Sequence, residues 1–129
     1  MKYGEVWQVA IGNFDEFCDL GIGHETGLDV ISESRKIIIE LKNRYNTDNS
    51  SSRKANNDKL AKFKCLNPDW TCIYGVINEN SSEGKIKEYE HNGQILHYYS
   101  GTKLFELVFG DKYMQIVDMV KFEVAKYKK

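Results

Sequence analysis

Gly27-Leu28-Asp29-Val30-Ile31, a polar break of Ser32-Glu33-Ser34-Arg35, then Lys36-Ile37-Ile38-Ile39-Glu40-Leu41-Lys42: this stretch decides how the chain is built. Two β-branched, apolar runs around a short polar segment predict a β-hairpin. With Ser34-Arg35 at the tip, paired positions sum to 69, so Asp29 faces Glu40 across the ladder. Side chains alternate along a strand, which puts Lys42 on the same face as Glu40. Like charges directly opposite each other destabilise a ladder. A hairpin that sets Asp29 against Glu40 therefore calls for a cation between them, and the spacing is that of a metal site.

The rest of the chain fits around this hairpin. Asn43 to Ser52 is a polar loop that predicts a helix N-cap at Ser50, Ser51 or Ser52, and a helix from about Arg53 to Leu66 with Ala55, Leu60, Ala61 and Phe63 on its apolar side. Asn67-Pro68-Asp69 ends that helix, because proline disfavours helical dihedrals in the residue before it. Trp70 to Asn78 is nearly continuous apolar sequence, as expected of a central strand covered on both faces. A helix between two strands implies a right-handed crossover, so this strand is expected to run parallel to Ile37–Lys42. Lys85–Glu90 and Gln94–Tyr99 flank His91-Asn92-Gly93, whose Asn-Gly predicts a tight hairpin. Ser100 or Thr102 is expected to cap a short helix holding Leu104, Phe105, Leu107 and Val108. Met1–Ala10 reads as a short N-terminal helix, and Tyr113 to Tyr127 as an amphipathic one. The Asn13–Gly27 segment reads as a glycine-bearing connection. These elements predict an α/β fold in one domain, residues 1–129, with a mixed central sheet flanked by helices.

Composition narrows the class. Apolar residues at 41% and charged residues at 29% are an ordinary globular balance. No run is long enough to span a bilayer and the N-terminus does not read as a signal peptide, so a cytoplasmic protein without a membrane partner is expected. Cys18, Cys65 and Cys72 are odd in number and widely spaced, which suits free thiols and offers zinc no close ligand pair. The net charge of −1 conceals a strong polarity, for residues 35–64 hold nine bases against three acids. A basic block directly after a carboxylate pair suits a phosphodiester substrate, although charge alone favours a solvated helix face.

Asp29, eleven residues, then Glu40-Leu41-Lys42 resembles the catalytic signature of the PD-(D/E)xK nuclease superfamily. The longer run Gly21-Ile22-Gly23-His24-Glu25-Thr26-Gly27-Leu28-Asp29, with Glu40-Leu41-Lys42-Asn43-Arg44-Tyr45-Asn46-Thr47, resembles one group of type II restriction endonucleases more closely. The similarity extends from Ser50 to Phe63 and to Tyr74-Gly75-Val76-Ile77-Asn78. It implies a restriction-endonuclease-like core and a Mg²⁺-dependent endonuclease acting on double-stranded DNA, with Mn²⁺ able to substitute. Asp29, Glu40 and the Leu41 carbonyl would be the metal ligands, Asp29, Glu40 and Lys42 the catalytic group, and Glu5 a possible third carboxylate. Lys42 would orient or help deprotonate the attacking water and neutralise developing charge. Asn43, Arg44 and Asn46 after the strand, Ser51, Ser52, Arg53 and Lys54 at the helix start, and Lys59 and Lys62 along it are the expected DNA contacts. Cutting both strands takes two active sites, so a homodimer is expected. Members of the group carry an additional N-terminal region, whereas here the sequence begins almost at the core. The alternative expectation is therefore a non-cutting DNA-binding module or an inactive core lacking a recognition region. Within the cutting class the variant is a structure-selective nuclease such as a junction resolvase.

Overall fold

The computed structural model describes residues 11, 17–20, 26–44, 50–78, 84–110 and 118. Among the described residues, six strands and two helices follow one another as β1 (Cys18–Asp19), β2 (Val30–Ser32), β3 (Ile37–Arg44), α1 (Ser50–Leu66), β4 (Thr71–Asn78), β5 (Ile86–His91), β6 (Gln94–Ser100) and α2 (Gly101–Phe109). The strands form one mixed sheet in the order β1-β2-β3-β4-β6-β5. The expected α/β core with a mixed sheet between helices is what the chain adopts.

The hairpin has the expected register. Val30 pairs with Ile39, Ile31 with Ile38 and Ser32 with Ile37, so each pair sums to 69. The turn is Glu33–Lys36, closed by the Lys36 N–H donating to the Glu33 carbonyl, with Lys36 at φ +55°. From the turn, the Arg35 guanidinium donates to the Leu107 carbonyl at 2.9 Å and lies 5.3 Å from the Phe17 ring centre. The hairpin tip is thereby tied to α2. β2 is shorter than the sequence suggests and leaves Asp29 just ahead of it. β1 is a two-residue strand inside the segment expected to be a plain connection.

β3 is parallel to β4, as expected of two strands joined through α1, and β4 is parallel to β6. Period-two alternation sorts β3 between two cores. Ile37, Ile39 and Leu41 join Ile73, Ile77 and the α2 residues Leu104, Phe105, Val108 and Phe109 on one face. Ile38 joins Cys72, Tyr74, Val76, Leu96 and the α1 residues Leu60 and Ala61 on the other. Ile38 and Ile39 are both fully buried, and truncating either to alanine would cost about 2–5 kcal/mol. Glu40 and Lys42 alternate with Ile39 and Leu41, so they belong to the α1 face.

Several expectations needed correction. α1 begins at Ser50, not near Arg53, so Ser51 and Ser52 lie in its first turn and do not cap it. Ala55 is exposed and Asn56 takes the buried position beside Leu60 and Ala61. Ser100 occupies the N-cap position of α2 but makes no side-chain cap. Its hydroxyl accepts the Lys85 N–H at 2.9 Å and so serves the β5–β6 hairpin. That hairpin turns through Asn92 at φ 51° and Gly93 at φ 79°, the paired positive dihedrals for which Asn-Gly is suited. Its end is fastened to α1: Asp58 Oδ1 meets His91 Nε2 at 2.7 Å and accepts from Asn92 at 3.0 Å. The Tyr89 hydroxyl donates to Asn57 at 2.6 Å. The expected helices at Met1–Ala10 and 113–127 lie outside the described residues, apart from Asp118. No helix among the described residues is long and apolar enough to cross a membrane.

Candidate active site

Continuing the β2–β3 ladder one step beyond Val30 and Ile39 brings Asp29 beside Glu40. The backbone anchors that step, because the Asp29 N–H donates to the Ile39 carbonyl at 3.2 Å. The Asp29 carboxylate then takes the place of a strand acceptor: its Oδ2 receives the Leu41 N–H at 2.8 Å. The carboxylate thus has a fixed orientation at the mouth of the hairpin. Glu40 emerges from the middle of β3 beneath α1 and is only 5% exposed. Its Oε2 is buried and has no hydrogen-bond partner.

Two lysines flank this pair. Lys42, two residues along the same strand face, puts Nζ 3.8 Å from Glu40 Oε1. Lys59, from the middle of α1, puts Nζ 3.9 Å from Glu40 Oε2. Neither ammonium is seated at hydrogen-bonding distance of the acid. Burial, and after it the neighbouring Asp29 charge, push the Glu40 carboxyl up to about 7, with Lys59 and Lys42 pulling against both. Asp29 is also raised, chiefly by burial, while the Leu41 N–H and the lysines oppose the rise. The two carboxyls are close enough to share a hydrogen bond when one is protonated. A buried Glu40 facing a half-buried Asp29, with one Glu40 oxygen lacking a hydrogen bond, is a donor set of hard oxygens, which fits a divalent cation such as Mg²⁺. No group of three or more acid, histidine or cysteine side chains converges among the described residues. Glu5, the expected third carboxylate, lies outside them.

The expected DNA contacts divide. Asn43 and Arg44 continue β3 past Lys42, but their side chains, like all of Asn46, lie outside the described part. Ser51, Ser52, Arg53 and Lys54 are exposed at the start of α1, and Lys54 pairs with Asp58 at 3.0 Å. Hydrogen bonds from His91, Lys54 and Asn92 hold Asp58 down to about 2. Ser51 lies about 12 Å along the helix axis from Lys59, so this end of α1 is not part of the carboxylate cluster. Lys62 is exposed. Lys59 departs most from expectation, since it turns inward to the carboxylates. The helical period carries that signal: Lys59 lies three residues after buried Asn56, next to buried Leu60 and four before half-buried Phe63.

Residues 5–123 match the family model described as Eco47II restriction endonuclease. No curated protein and no solved structure matches the chain.

Proposed function

The chain belongs to the Eco47II restriction endonuclease family, and we propose that it acts through Asp29, Glu40 and Lys42 as a divalent-metal-dependent endonuclease that hydrolyses phosphodiester bonds in double-stranded DNA. Membership makes it a type II restriction-endonuclease-like nuclease, and the spacing of Asp29 to Glu40-Leu41-Lys42 supports reading it as one of the PD-(D/E)xK kind. The observation that carries the finer reading is the buried Glu40 carboxylate, which faces Asp29 and leaves one oxygen without a hydrogen-bond partner. A structural ion pair would seat a lysine at hydrogen-bonding distance, whereas both ammoniums stand near 4 Å.

In this reading Asp29 and Glu40 would hold Mg²⁺, with Mn²⁺ as a substitute, and the Leu41 carbonyl would supply a further oxygen. The bound ion would offset charge on the scissile phosphate and lower the pKa of a water. The protein's own part begins with orientation. The Leu41 N–H fixes the Asp29 carboxylate, and the rigid β3 strand fixes Glu40 and Lys42 on one face. Lys42 places its ammonium beside the carboxylates, where it orients the attacking water and offsets charge as the new P–O bond forms and the old one breaks. Glu5 is assigned as the additional acidic group. Asn43, Arg44, Asn46, Ser51, Ser52, Arg53, Lys54 and Lys62 are assigned to DNA, mainly to its phosphates. Residues 1–129 act as one domain, and two copies of the chain supply the two sites that a double-strand cut needs.

Plasmid DNA incubated with the protein tests this directly. Supercoiled DNA should be cleaved with Mg²⁺ and left intact with chelator, and Asp29→Ala, Glu40→Ala and Lys42→Ala should each abolish cleavage while remaining folded. Wild-type protein that leaves the plasmid intact across Mg²⁺ and Mn²⁺ concentrations would reject cleavage. A single variant retaining activity within about tenfold, equivalent to roughly 1.4 kcal/mol of barrier, would remove that residue from the mechanism.

A further inference from the structure

The hydrolytic reaction assigns no task to Lys59, yet the fold is shaped around it. Its ammonium donates to the Gly27 carbonyl at 3.0 Å and stands 3.9 Å from Glu40 Oε2, the buried oxygen without a hydrogen-bond partner. Gly27 has φ +70°, and a Cβ placed there would lie only 2.8 Å from Lys59 Cδ. The lysine stem therefore runs through the space that a side chain at residue 27 would fill. Gly27 precedes Asp29 by two residues, so Lys59 spans from the arm carrying one carboxylate to the other carboxylate itself. Its side chain is 38% exposed, which leaves its head a route to solvent.

We propose that Lys59 is the tethered counter-cation of the Asp29–Glu40 pair, filling the electrostatic place of the divalent ion until that ion enters. This rests on the metal-binding reading of the pair given above. Without metal, and with both carboxyls ionised, the pair attracts the ammonium. With a divalent ion between them the cluster is close to neutral and the attraction largely disappears. Lys59 therefore stabilises the metal-free state selectively, and by linkage it weakens metal binding to the same extent. It is a positioning residue that sets how readily the site is loaded, distinct from Lys42 on the reacting face.

Calorimetric titration of the DNA-free protein with Mn²⁺ tests this in wild type, Lys59→Met, Lys59→Arg and Lys62→Met. Methionine keeps an unbranched stem over Gly27 and removes the charge. Lys62→Met removes a charge from an exposed position of the same helix. A charge about 4 Å away, partly screened by solvent, corresponds to about a tenfold change in Kd. Lys59→Met should bind Mn²⁺ about tenfold more tightly, while Lys59→Arg and Lys62→Met stay within about threefold of wild type. In chelator, Lys59→Met should also melt below Lys62→Met, a readout independent of cleavage. Lys59→Gln provides the same comparison if the methionine variant folds poorly. Unchanged or weaker Mn²⁺ binding in Lys59→Met, or in Lys59→Gln where that variant is used, with wild type binding normally, overturns the counter-cation role alone. Wild-type protein that takes up no Mn²⁺ overturns the metal-binding reading, and this role falls with it.

Discussion

Replacing Glu40 by glutamine should stabilise the metal-free protein, and should do so only above mildly acidic pH. The folded site holds the Glu40 proton up to about 7, whereas its ordinary value is 4.5. Between those values the folded state binds more protons than the unfolded one, so stability falls as pH rises through that window. A difference of about 2.5 units at 1.36 kcal/mol each gives a cost of about 3 kcal/mol above pH 7. That exceeds the roughly 0.2–1 kcal/mol typical of an exposed cross-strand pair, because burial is the larger cause here. Glutamine carries no charge at any of these pH values and its amide can donate to Asp29. At a few degrees per kcal/mol for a domain of this size, Glu40→Gln should melt about 10 °C above wild type at pH 8 in chelator. Most of that gap should be gone at pH 5. The assay is a set of melting curves of both proteins from pH 5 to 8.5. A variant less stable than wild type at pH 8, or a gap independent of pH, would refute the reasoning and leave Glu40 as a structural ion-pair partner.

The same shift predicts that Mn²⁺ binds to the ionised pair, so the apparent Kd should weaken by up to about tenfold per unit below pH 7. Calorimetry at pH 6 and 8 checks this, and equal affinities would contradict it. Neutralising Arg53, Lys54 and Lys62 together should weaken DNA binding for all sequences and flatten its dependence on salt, as read by titration at several salt concentrations. An unchanged slope would return these residues to a solvated helix face. Gly27→Ala adds a methyl where Lys59 now lies and forces alanine into φ +70°. It should lower the melting temperature by several degrees, since such backbone strain costs of order 1–3 kcal/mol. Asp58→Ala removes the acceptor shared by His91 and Asn92, and should speed amide exchange at the β5–β6 turn without altering exchange in β3.

What the sequence disclosed follows from which signals are local. The β2–β3 register was legible because a four-residue polar break between β-branched runs leaves few pairings that keep Ile38 and Ile39 buried. The parallel β3–β4 pair followed from the helix between them, and the β5–β6 turn from Asn92-Gly93. The start of α1 was misread because serine suits the cap and also tolerates the first turn, so three consecutive serines do not mark a boundary. Ser100 looked like a cap because its rival partner, the Lys85 N–H, is fifteen residues away in sequence. Asp29 and Glu40 could be paired on paper because one hairpin holds both. Lys59 could not, since its approach depends on how α1 lies over the sheet and on a bare glycine 32 residues earlier. Charge composition suggested a phosphate contact, and tertiary packing turned the same residue toward the carboxylates.

The alternation of β3 has a consequence for how errors can accumulate in such a chain. Ile37, Ile39 and Leu41 are counted on one parity and Ile38, Glu40 and Lys42 on the other, so a single inserted or deleted residue before Glu40 in that strand exchanges the two sets. The exchange would bury an acid and a lysine in the aliphatic core against α2 while turning isoleucine toward the cleft. The frame of the strand thus ties the acidic centre to the core: a shift that carries Glu40 and Lys42 off the α1 face also carries Leu41 off the α2 face.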